Sequence, residues 1–562
     1  MNYFIDKSLI KNDFEVDLFN PKNKLLTRKY SSNSNLIITS WMEKYCNVYH
    51  KLFFEFNPSK LKFKPLKKNQ NQTENNKIPS IEELLQELCT YYSEKMDNIN
   101  FNKKILQELK KIFKTKKSKE QIIQLLSEWF NMYNEQIYNS TNYNNTQQLS
   151  FIQALEQLVN SKRNEYKNNN SNTSNNLINN KSDVSRFKLL LKLIIQKLNK
   201  FNQFTSFKIQ IEIQNGFDFM YYYNDNELEF TIYSHTEIEQ ENIYWRFLYA
   251  RMKSVLRMYS SKIQNMNNTS TKNTPQKTTI DTKIKFEIYL SHQTKQLPRK
   301  VKIFGPEEVN SGSTNFETIN IWRKEEHFKL ILHESVHFYN LDGCLDLGHQ
   351  NEEINMECHY QIAADTETRL YEAYTESLAV FMHSFANAYQ IYIMNLIESN
   401  KKKNNNNNLE WKELSKQDFE IINQIRNQLW IKEKKFFVIQ IAKIFMHLNQ
   451  DSEDFSDFLI IPQKCSEMRQ ALDSAHQLRE KTSLLSYHIL KGANMTFDQE
   501  FLEWMKNPFN PHPESLYKFY NYITEKTHNS DFINLVNQGI KFLKEKKQYD
   551  KNLRMTLYQT HF

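Results

Sequence analysis

The chain has 562 residues, too many for one ordinary core, so we expect about two to four folded units. Its 74 basic and 65 acidic side chains leave a net charge of +9, but part of the excess lies in linker-like tracts such as KTKKSK and KKKNNNNN. Because a nucleic-acid interface needs basic groups ordered on one surface, we expect no specific nucleic-acid partner. The chain has no run of 18 apolar residues, which predicts no membrane span.

The N-terminus and the cysteines predict an intracellular, cytoplasmic protein. The first residues, MNYFIDKSLIKNDFEVDLF, carry charges throughout and have no apolar core, so they are not a secretory signal. The five cysteines are odd in number, widely spaced and form no CxxC pair. This pattern is typical of a reducing compartment.

Asparagine- and lysine-rich tracts divide the chain at 66–77, 164–182, 263–282 and 401–408. Such tracts have too little apolar area to offset the entropy of ordering, so we interpret them as insertions or linkers. The sequence therefore predicts four regions: an N-terminal segment with a linker (1–78), a helical region with an Asn-rich insertion (79–200), an α+β core (201–400), and a helical C-terminal region (409–562).

The central region alternates apolar with polar residues, which is the signature of β-strands. The segments are SFKIQIEIQ (206–214), FDFMYYY, ELEFTIYS and KIKFEIYLS (283–291), with a helical pattern at 241–261 between two of them. A short strand, ETINIWR (317–323), leads into the next helix. The fold class predicted is α+β, with a mixed sheet flanked by mainly helical N- and C-terminal regions.

A helix with the motif HESVH follows this strand. On a helix, His333 and His337 project from one face about one turn apart and can offer two nitrogens to one ion. Glu334 lies about 100° round the helix, off the metal but within reach of a water molecule there. Aromatic and aliphatic residues occupy the opposite arc of the helix. This arrangement is typical of a hydrolytic zinc site.

The third ligand distinguishes the subclasses of such sites. The pattern HExxHxxGxxH requires a ligand at the position of Gly343, and Asp342 is one residue short of it. In a helix at 365–399, Glu372, Glu376 and His383 fall within about 40° of one another, opposite an apolar face. Glu372 is our choice for the third ligand. The rival carboxylates by separation are Glu352, Glu353, Glu357 and Glu367, and the acidic stripe could instead be a solvated surface.

HESVH followed by YEAYTES resembles the gluzincin branch of the zincin fold. The resemblance implies a zincin-like catalytic domain in which His333, His337 and Glu372 bind zinc. It also implies that Glu334 is the general base and that Glu376 orients a ligand histidine. The stretches VNSGSTNFETINIWRKEEHFKLILHESVHFYNLD and KTSLLSYHILKGA are similar to metallopeptidase-like proteins of large DNA viruses, which adds a host cytoplasm or a virion as possible locations.

The resemblance covers roughly residues 300 to 390 and implies zinc-dependent hydrolysis of a peptide or protein substrate. Zincins also use a Tyr, His or Arg to stabilise the oxyanion, and Tyr487, His488 and His383 are the candidates here. The strand at 317–323 is expected to be the edge of the sheet that pairs with an extended substrate. The sequence does not predict the oligomeric state.

Two other hypotheses stay open at this point. In the first, the protein is structural or virion-associated and keeps a zincin-like scaffold without peptidase activity, marked by a missing third ligand or a blocked cleft. In the second, a helical interaction protein carries HExxH by coincidence. The second hypothesis predicts that Glu372 lies far from both histidines.

Overall fold

A computed structural model of the chain describes residues 32–66, 205, 209, 212–213, 216–269, 283–298, 303–315, 317–343, 356–362, 368–402, 411–449, 452–460, 477–480, 482–506, 513–546 and 549–558. The chain divides into two compact units, Met1–Leu66 with Asp218–Phe562, and Lys67–Phe217. Most of the second unit lies outside the described residues, including the helices predicted at 79–200. The elements below all belong to the first unit.

The first unit combines long helices with one mixed sheet. Its α-helices are α1 (Ser32–Glu55), α2 (Tyr244–Thr269), α3 (Pro306–Val309), α4 (His327–Phe338), α5 (Leu370–Lys402), α6 (Lys416–Leu448), α7 (Lys491–Thr496), α8 (Asp498–Lys506), α9 (Pro513–Thr527) and α10 (Ser530–Lys546). A π-helical segment, Leu485–Leu490, precedes α7. The predicted α+β class and the mixed sheet are confirmed.

The strands are β1 (Lys62–Pro65), β2 (Phe219–Asn224), β3 (Leu228–Ser234), β4 (Ile284–Tyr289), β5 (Ile303–Phe304), β6 (Gly312–Thr314), β7 (Ile319–Ile321) and β8 (Arg479–Glu480). Six of them form one sheet in the order β1-β2-β3-β4-β7-β6, and β5 pairs with β8 separately. Within the six-stranded sheet, β3, β4 and β7 run parallel, whereas β1, β2 and β6 pair antiparallel to their neighbours. Inward-facing side chains of β3 and β4 alternate with half-exposed ones, as the sequence pattern predicts.

Two strand predictions were wrong in part. Within the predicted strand 206–214, Ile209, Glu212 and Ile213 are helical, and the other positions lie outside the described residues. Ile209 and Ile213 are four residues apart, so the same pattern also fits one face of a helix. The second correction concerns 317–323, because β7 lies inside the sheet between β4 and β6, and the edge strand on this side, among the residues that the structure describes, is Gly312–Thr314.

The N-terminal helix, the sheet and the C-terminal helices share one hydrophobic core in the first unit. Phe53 of α1 packs against Phe247 of α2, with ring centroids 5.0 Å apart. Phe381 of α5 meets Trp430 of α6 edge to face at 5.3 Å. The boundaries drawn at 78, 200 and 400 therefore do not separate these elements into different cores.

Two further observations bear on the sequence-based expectations. Cys358 is engaged in a disulfide whose partner lies outside the described residues, which the cysteine spacing did not predict, and Cys46 is free and buried. None of the helices in the described part of the chain is both long and apolar enough to cross a bilayer.

Candidate metal centre

The helix α4, which contains the HESVH motif, lies in the interior of the first unit. It packs against α2 and α5 and against the strands β6 and β7. Every residue from His327 to Val336 is buried, the polar ones included. The apolar arc predicted from the helical wheel faces the core, and the histidines face α5.

His333, His337 and Glu372 converge on one point. The two Nε2 atoms are 3.0 Å apart, and the Oε2 atom of Glu372 lies 3.1 Å from Nε2 of His337 and 3.4 Å from Nε2 of His333. Three donors at the usual zinc distances, in tetrahedral directions, would be separated by about 3.3 Å. The residues present therefore fit a zinc ion in both donor type and spacing.

No other group of three or more metal-ligating side chains is found among the described residues. Glu352, Glu353 and Glu367 lie outside them, and the side chain of Glu357 is not described. The choice of Glu372 from its helical position agrees with this placement. The hypothesis of a coincidental HExxH motif is wrong in its prediction that Glu372 lies far from both histidines.

Each of the two histidines has a carboxylate close to its Nδ1 atom. The Oε2 atom of Glu376 is 2.9 Å from Nδ1 of His333, although the angle is poorer than that of an ordinary hydrogen bond. The Oδ2 atom of Asp342 is 2.5 Å from Nδ1 of His337 and accepts a hydrogen bond from the Thr375 hydroxyl at 2.8 Å. Such contacts keep the far nitrogen protonated and direct the lone pair of Nε2 toward the candidate metal position.

The sequence did not predict Asp342 as an orienting residue, because its spacing from His337 was considered only for a third metal ligand. It reaches back to His337 through the turn that ends α4. Asn340 has a positive φ of 50°, and the amides of Asn340 and Leu341 donate to the carbonyls of His337 and Val336. This is a Schellman motif, and an asparagine just past the last apolar residue of the helix is the sequence signal that could have predicted it.

Glu334 is buried against the edge strand. A Cβ atom built on Gly312 of β6 would lie 2.5 Å from Oε1 of Glu334, so only glycine leaves room for this carboxylate. Burial raises the pKa of Glu334, although the neighbouring His333 and His337 lower it. A carboxylate with a raised pKa next to the candidate metal position suits a general base.

Tyr487, a candidate oxyanion donor, lies next to His333. Its ring is 5.7 Å from that of His333, and it sits on the π-helical segment Leu485–Leu490, a conformation that recurs at functional sites. Burial, followed by the charges of Glu372, Glu334 and Glu376, raises the pKa of Tyr487 well above its ordinary value. The hydroxyl therefore stays protonated and able to donate.

The structure does not bring His383 to the three candidate ligands. Its Nδ1 atom contacts the Arg251 guanidinium, and its Nε2 atom lies 3.4 Å from the carbonyl of Tyr558. Burial and the charge of Arg251 lower the pKa of His383 well below its usual range, so it is neutral. Eleven residues separate it from Glu372, about 16 Å along the helix, a distance that the helical wheel ignores. This placement argues against the predicted catalytic role.

His488, the other histidine considered, is buried. Burial and the charge of Lys491 lower its pKa well below the ordinary value. A neutral imidazole here does not provide the charge that an oxyanion would attract. Of the candidate donors, Tyr487 has the best position.

Comparisons of the chain with protein-family models, with curated proteins and with solved structures found no match. The site itself combines three convergent donors, two carboxylates that face the far nitrogens of the histidines, a buried glutamate and a protonated tyrosine.

Proposed function

We propose that this protein is a zinc-dependent peptidase of the gluzincin type, with a zincin-like catalytic domain. The observation that carries the proposal is the convergence of His333, His337 and Glu372 within 4.8 Å of one another. Two neutral imidazoles and one carboxylate form the donor set of a catalytic zinc site that keeps a fourth position open.

The metal supplies one part of the chemistry and the side chains the rest. Zinc, when bound, would lower the pKa of a water molecule to about 7 and polarise a substrate carbonyl. His333, His337 and Glu372 would hold the ion. Glu376 and Asp342 would fix the orientation of the two imidazole rings, because each carboxylate faces the far nitrogen of one ring.

Glu334 would accept a proton from the attacking water molecule. It follows His333 directly on α4, so its carboxylate lies beside the ligands without being one of them. Its raised pKa brings it nearer to the working pH of a general base, and it could pass the same proton to the leaving amine. The close approach of Gly312 limits the positions that this carboxylate can adopt.

Tyr487 would stabilise the negative oxygen that forms when the carbonyl is attacked. A neutral phenol donates a hydrogen bond to such an oxygen, and one well-placed donor contributes about 3 to 4 kcal/mol to transition-state binding. The charge of Glu372 contributes to the raised pKa of this hydroxyl, and the Tyr487 ring lies 5.7 Å from the ring of His333.

The edge strand β6 supports a peptide as the substrate. Gly312–Thr314 pairs on one side with β7 and is the last strand of the sheet on that side among the described residues. An extended peptide can add to such an edge through main-chain hydrogen bonds. Because Gly312 touches Glu334, a peptide on this edge would pass next to the general base.

The alternative of an inactive zincin-like scaffold predicts a missing third ligand or a blocked cleft. The Glu372 carboxylate lies beside both histidines, where a third ligand is required, and this position favours the enzyme.

Metal content and peptide cleavage test the proposal together. Wild-type protein should contain one zinc ion per chain and cleave a mixture of unstructured peptides. Glu334→Gln should retain zinc and lose cleavage, because it removes the base and not a ligand. His337→Ala should lose both. Wild-type protein with stoichiometric zinc but no cleavage of any peptide would support the scaffold instead.

A further inference from the structure

Two lysines contact the carboxylate of Glu376 in addition to His333. Lys329, one turn before His333 on α4, donates to Oε1 and Oε2 of Glu376 at 2.9 and 2.8 Å. Lys491, at the start of α7, lies 3.4 Å from Oε1. The side chains of Lys329 and Glu376 are 0% exposed and that of Lys491 is 1% exposed. All three charges are thus buried together.

Lys491 is held in turn by the segment 549–558, which we call the C-terminal strap. The carbonyl of Met555 accepts a hydrogen bond from Lys491 at 2.9 Å, and the thioether of Met555 lies 3.6 Å from the amine of Lys329. Other buried polar side chains bind the main chain of the strap, namely Glu326 at Met555, Glu433 at Leu557, Gln440 at Arg554 and Lys443 at Asn552.

Burying these charges is costly unless each has a well-placed partner. Glu376 has three partners within 3.4 Å, namely His333 and the two lysines. The lysines leave its carboxylate little freedom to rotate. A carboxylate so fixed can determine the direction in which the imidazole of His333 points.

We propose that Lys329 and Lys491 are positioning residues for the metal centre, which hold Glu376 against the far nitrogen of His333, and that the C-terminal strap fixes Lys491 for this purpose. The inference rests on the proposed function, since it concerns the same metal position. It assigns a role in metal binding to residues that touch neither the ion nor the substrate.

The direction of the change in zinc affinity, when a lysine is removed, distinguishes a positioning role from a purely electrostatic effect. Removing a positive charge near a divalent cation should, by Coulomb's law alone, strengthen the binding of the cation. Loss of orientation at a ligand histidine should weaken it, by about 10- to 100-fold. A fall in zinc affinity on removal of Lys491 therefore identifies the positioning role.

Lys443 offers a matched control for Lys491. Both are buried lysines that donate to a carbonyl of the strap, Lys443 to that of Asn552 at 3.2 Å. In the described part of the chain, Lys443 is not among the contacts of Glu376. Lys443→Met thus removes a similar buried charge and a similar strap contact without touching the support of His333.

The experiment measures the zinc dissociation constant by competition with a chelator of known affinity, together with the free energy of unfolding of the metal-free protein. For Lys491→Met we expect zinc to bind at least about tenfold more weakly. For Lys443→Met we expect a change of no more than about twofold, whatever the loss of stability. Lys329→Met provides a second test if Lys491→Met does not fold.

The outcomes distinguish this inference from the proposed function. Wild-type protein that binds no zinc contradicts both. Wild-type protein that binds zinc, with Lys491→Met and Lys329→Met binding it equally or more tightly, overturns the positioning role and leaves the proposed metal centre intact. Equal weakening by Lys443→Met and Lys491→Met would also overturn it, because the effect would then follow from general damage to the core.

Discussion

Gly312 faces Glu334 at the point where the edge strand meets the HESVH helix. A methyl group on Gly312 would come within 2.5 Å of the Glu334 carboxylate, so the carboxylate would have to move. We expect Gly312→Ala to reduce kcat by about 100-fold or more, as displacement of a catalytic group by about 1 Å does. Zinc content should be unchanged, because no ligand moves. Steady-state peptide cleavage and metal analysis measure the two effects.

Gly305→Ala is the control for this substitution. Its Cβ atom would lie 3.6 Å from Oε2 of Glu308, which is ordinary van der Waals contact. This variant should keep the kcat of the wild-type protein. Full activity in Gly312→Ala would contradict the proposal that Glu334, beside Gly312 of the edge strand, is the general base.

Tyr487→Phe tests the oxyanion donor. Removing the hydroxyl should lower kcat by about 100- to 1000-fold and leave the zinc content unchanged, because the interaction is made mainly in the transition state. Tyr374→Phe is the control, since that tyrosine lies on the same helix as Glu372 but directs its hydroxyl to the carbonyl of Trp504 at 3.4 Å. A similar loss in both variants would count against a specific role for Tyr487.

At the scale of residues, the sequence could predict those parts of the site that a single helix determines. The spacing of His333 and His337, and of Glu372 and Glu376, follows from 3.6 residues per turn. Contacts such as that of Lys491 with Glu376 depend on tertiary packing between distant segments, which no local period encodes. The prediction of His383 at the site failed for a related reason. Its angle around the helix is close to that of Glu372, but its position along the helix is far from it.

At the scale of elements, the C-terminal strap is a part of the core without regular secondary structure. It buries Leu553, Met555, Leu557 and Tyr558, each at most 8% exposed. Burying such side chains contributes about 1.5 to 3 kcal/mol each, so a chain that ends at residue 548 should lose about 6 kcal/mol or more. That is a large part of the stability of an ordinary domain.

Denaturant unfolding followed by circular dichroism measures this loss. The shortened chain should unfold at a much lower denaturant concentration, and a synthetic peptide of residues 549–562 added in excess should restore part of the difference. An unchanged midpoint for the shortened chain would show that the strap is dispensable for the fold.

The edge of the sheet shows why the order of strands is harder to predict than the fold class. The alternation in ETINIWR identifies a strand correctly, but Gly312–Thr314 has too few apolar residues to show a period. The sequence therefore predicts ETINIWR as the edge and gives no sign of the strand beside it. Sheet order depends on pairing between segments, and a three-residue strand with one glycine carries almost no local signal for it.

At the scale of the whole molecule, buried acids should make stability depend on pH. Burial raises the pKa of Glu480 to about 8, and the side chain accepts a hydrogen bond from the amide of Leu485 at 3.0 Å. For a raised carboxyl pKa, the stabilising contribution is fully present below the ordinary pKa of 4.5 and is lost as the pH rises through about 8. Because of Glu480, the free energy of unfolding should therefore fall as the pH rises from about 5 to about 8, which is roughly the range between the ordinary and the raised pKa.

Glu480→Gln should remove this part of the pH dependence. The neutral amide cannot ionise, so the unfolding free energy of the variant should fall less steeply between about pH 5 and pH 8. Glu453→Gln serves as the comparison, since the Glu453 side chain is 75% exposed. Denaturant titrations at several pH values give both slopes, and identical slopes for the wild-type protein and Glu480→Gln would contradict the burial of this group.

The central claim is that His333, His337 and Glu372 together hold one divalent ion. Anomalous diffraction at the zinc absorption edge, from crystals of protein purified without chelators, tests it most directly. We predict one strong peak about 2.0 to 2.2 Å from the Nε2 atoms of both histidines and from a carboxylate oxygen of Glu372. A map with no peak at these residues, or with the ion bound by a different set of side chains, would contradict the account.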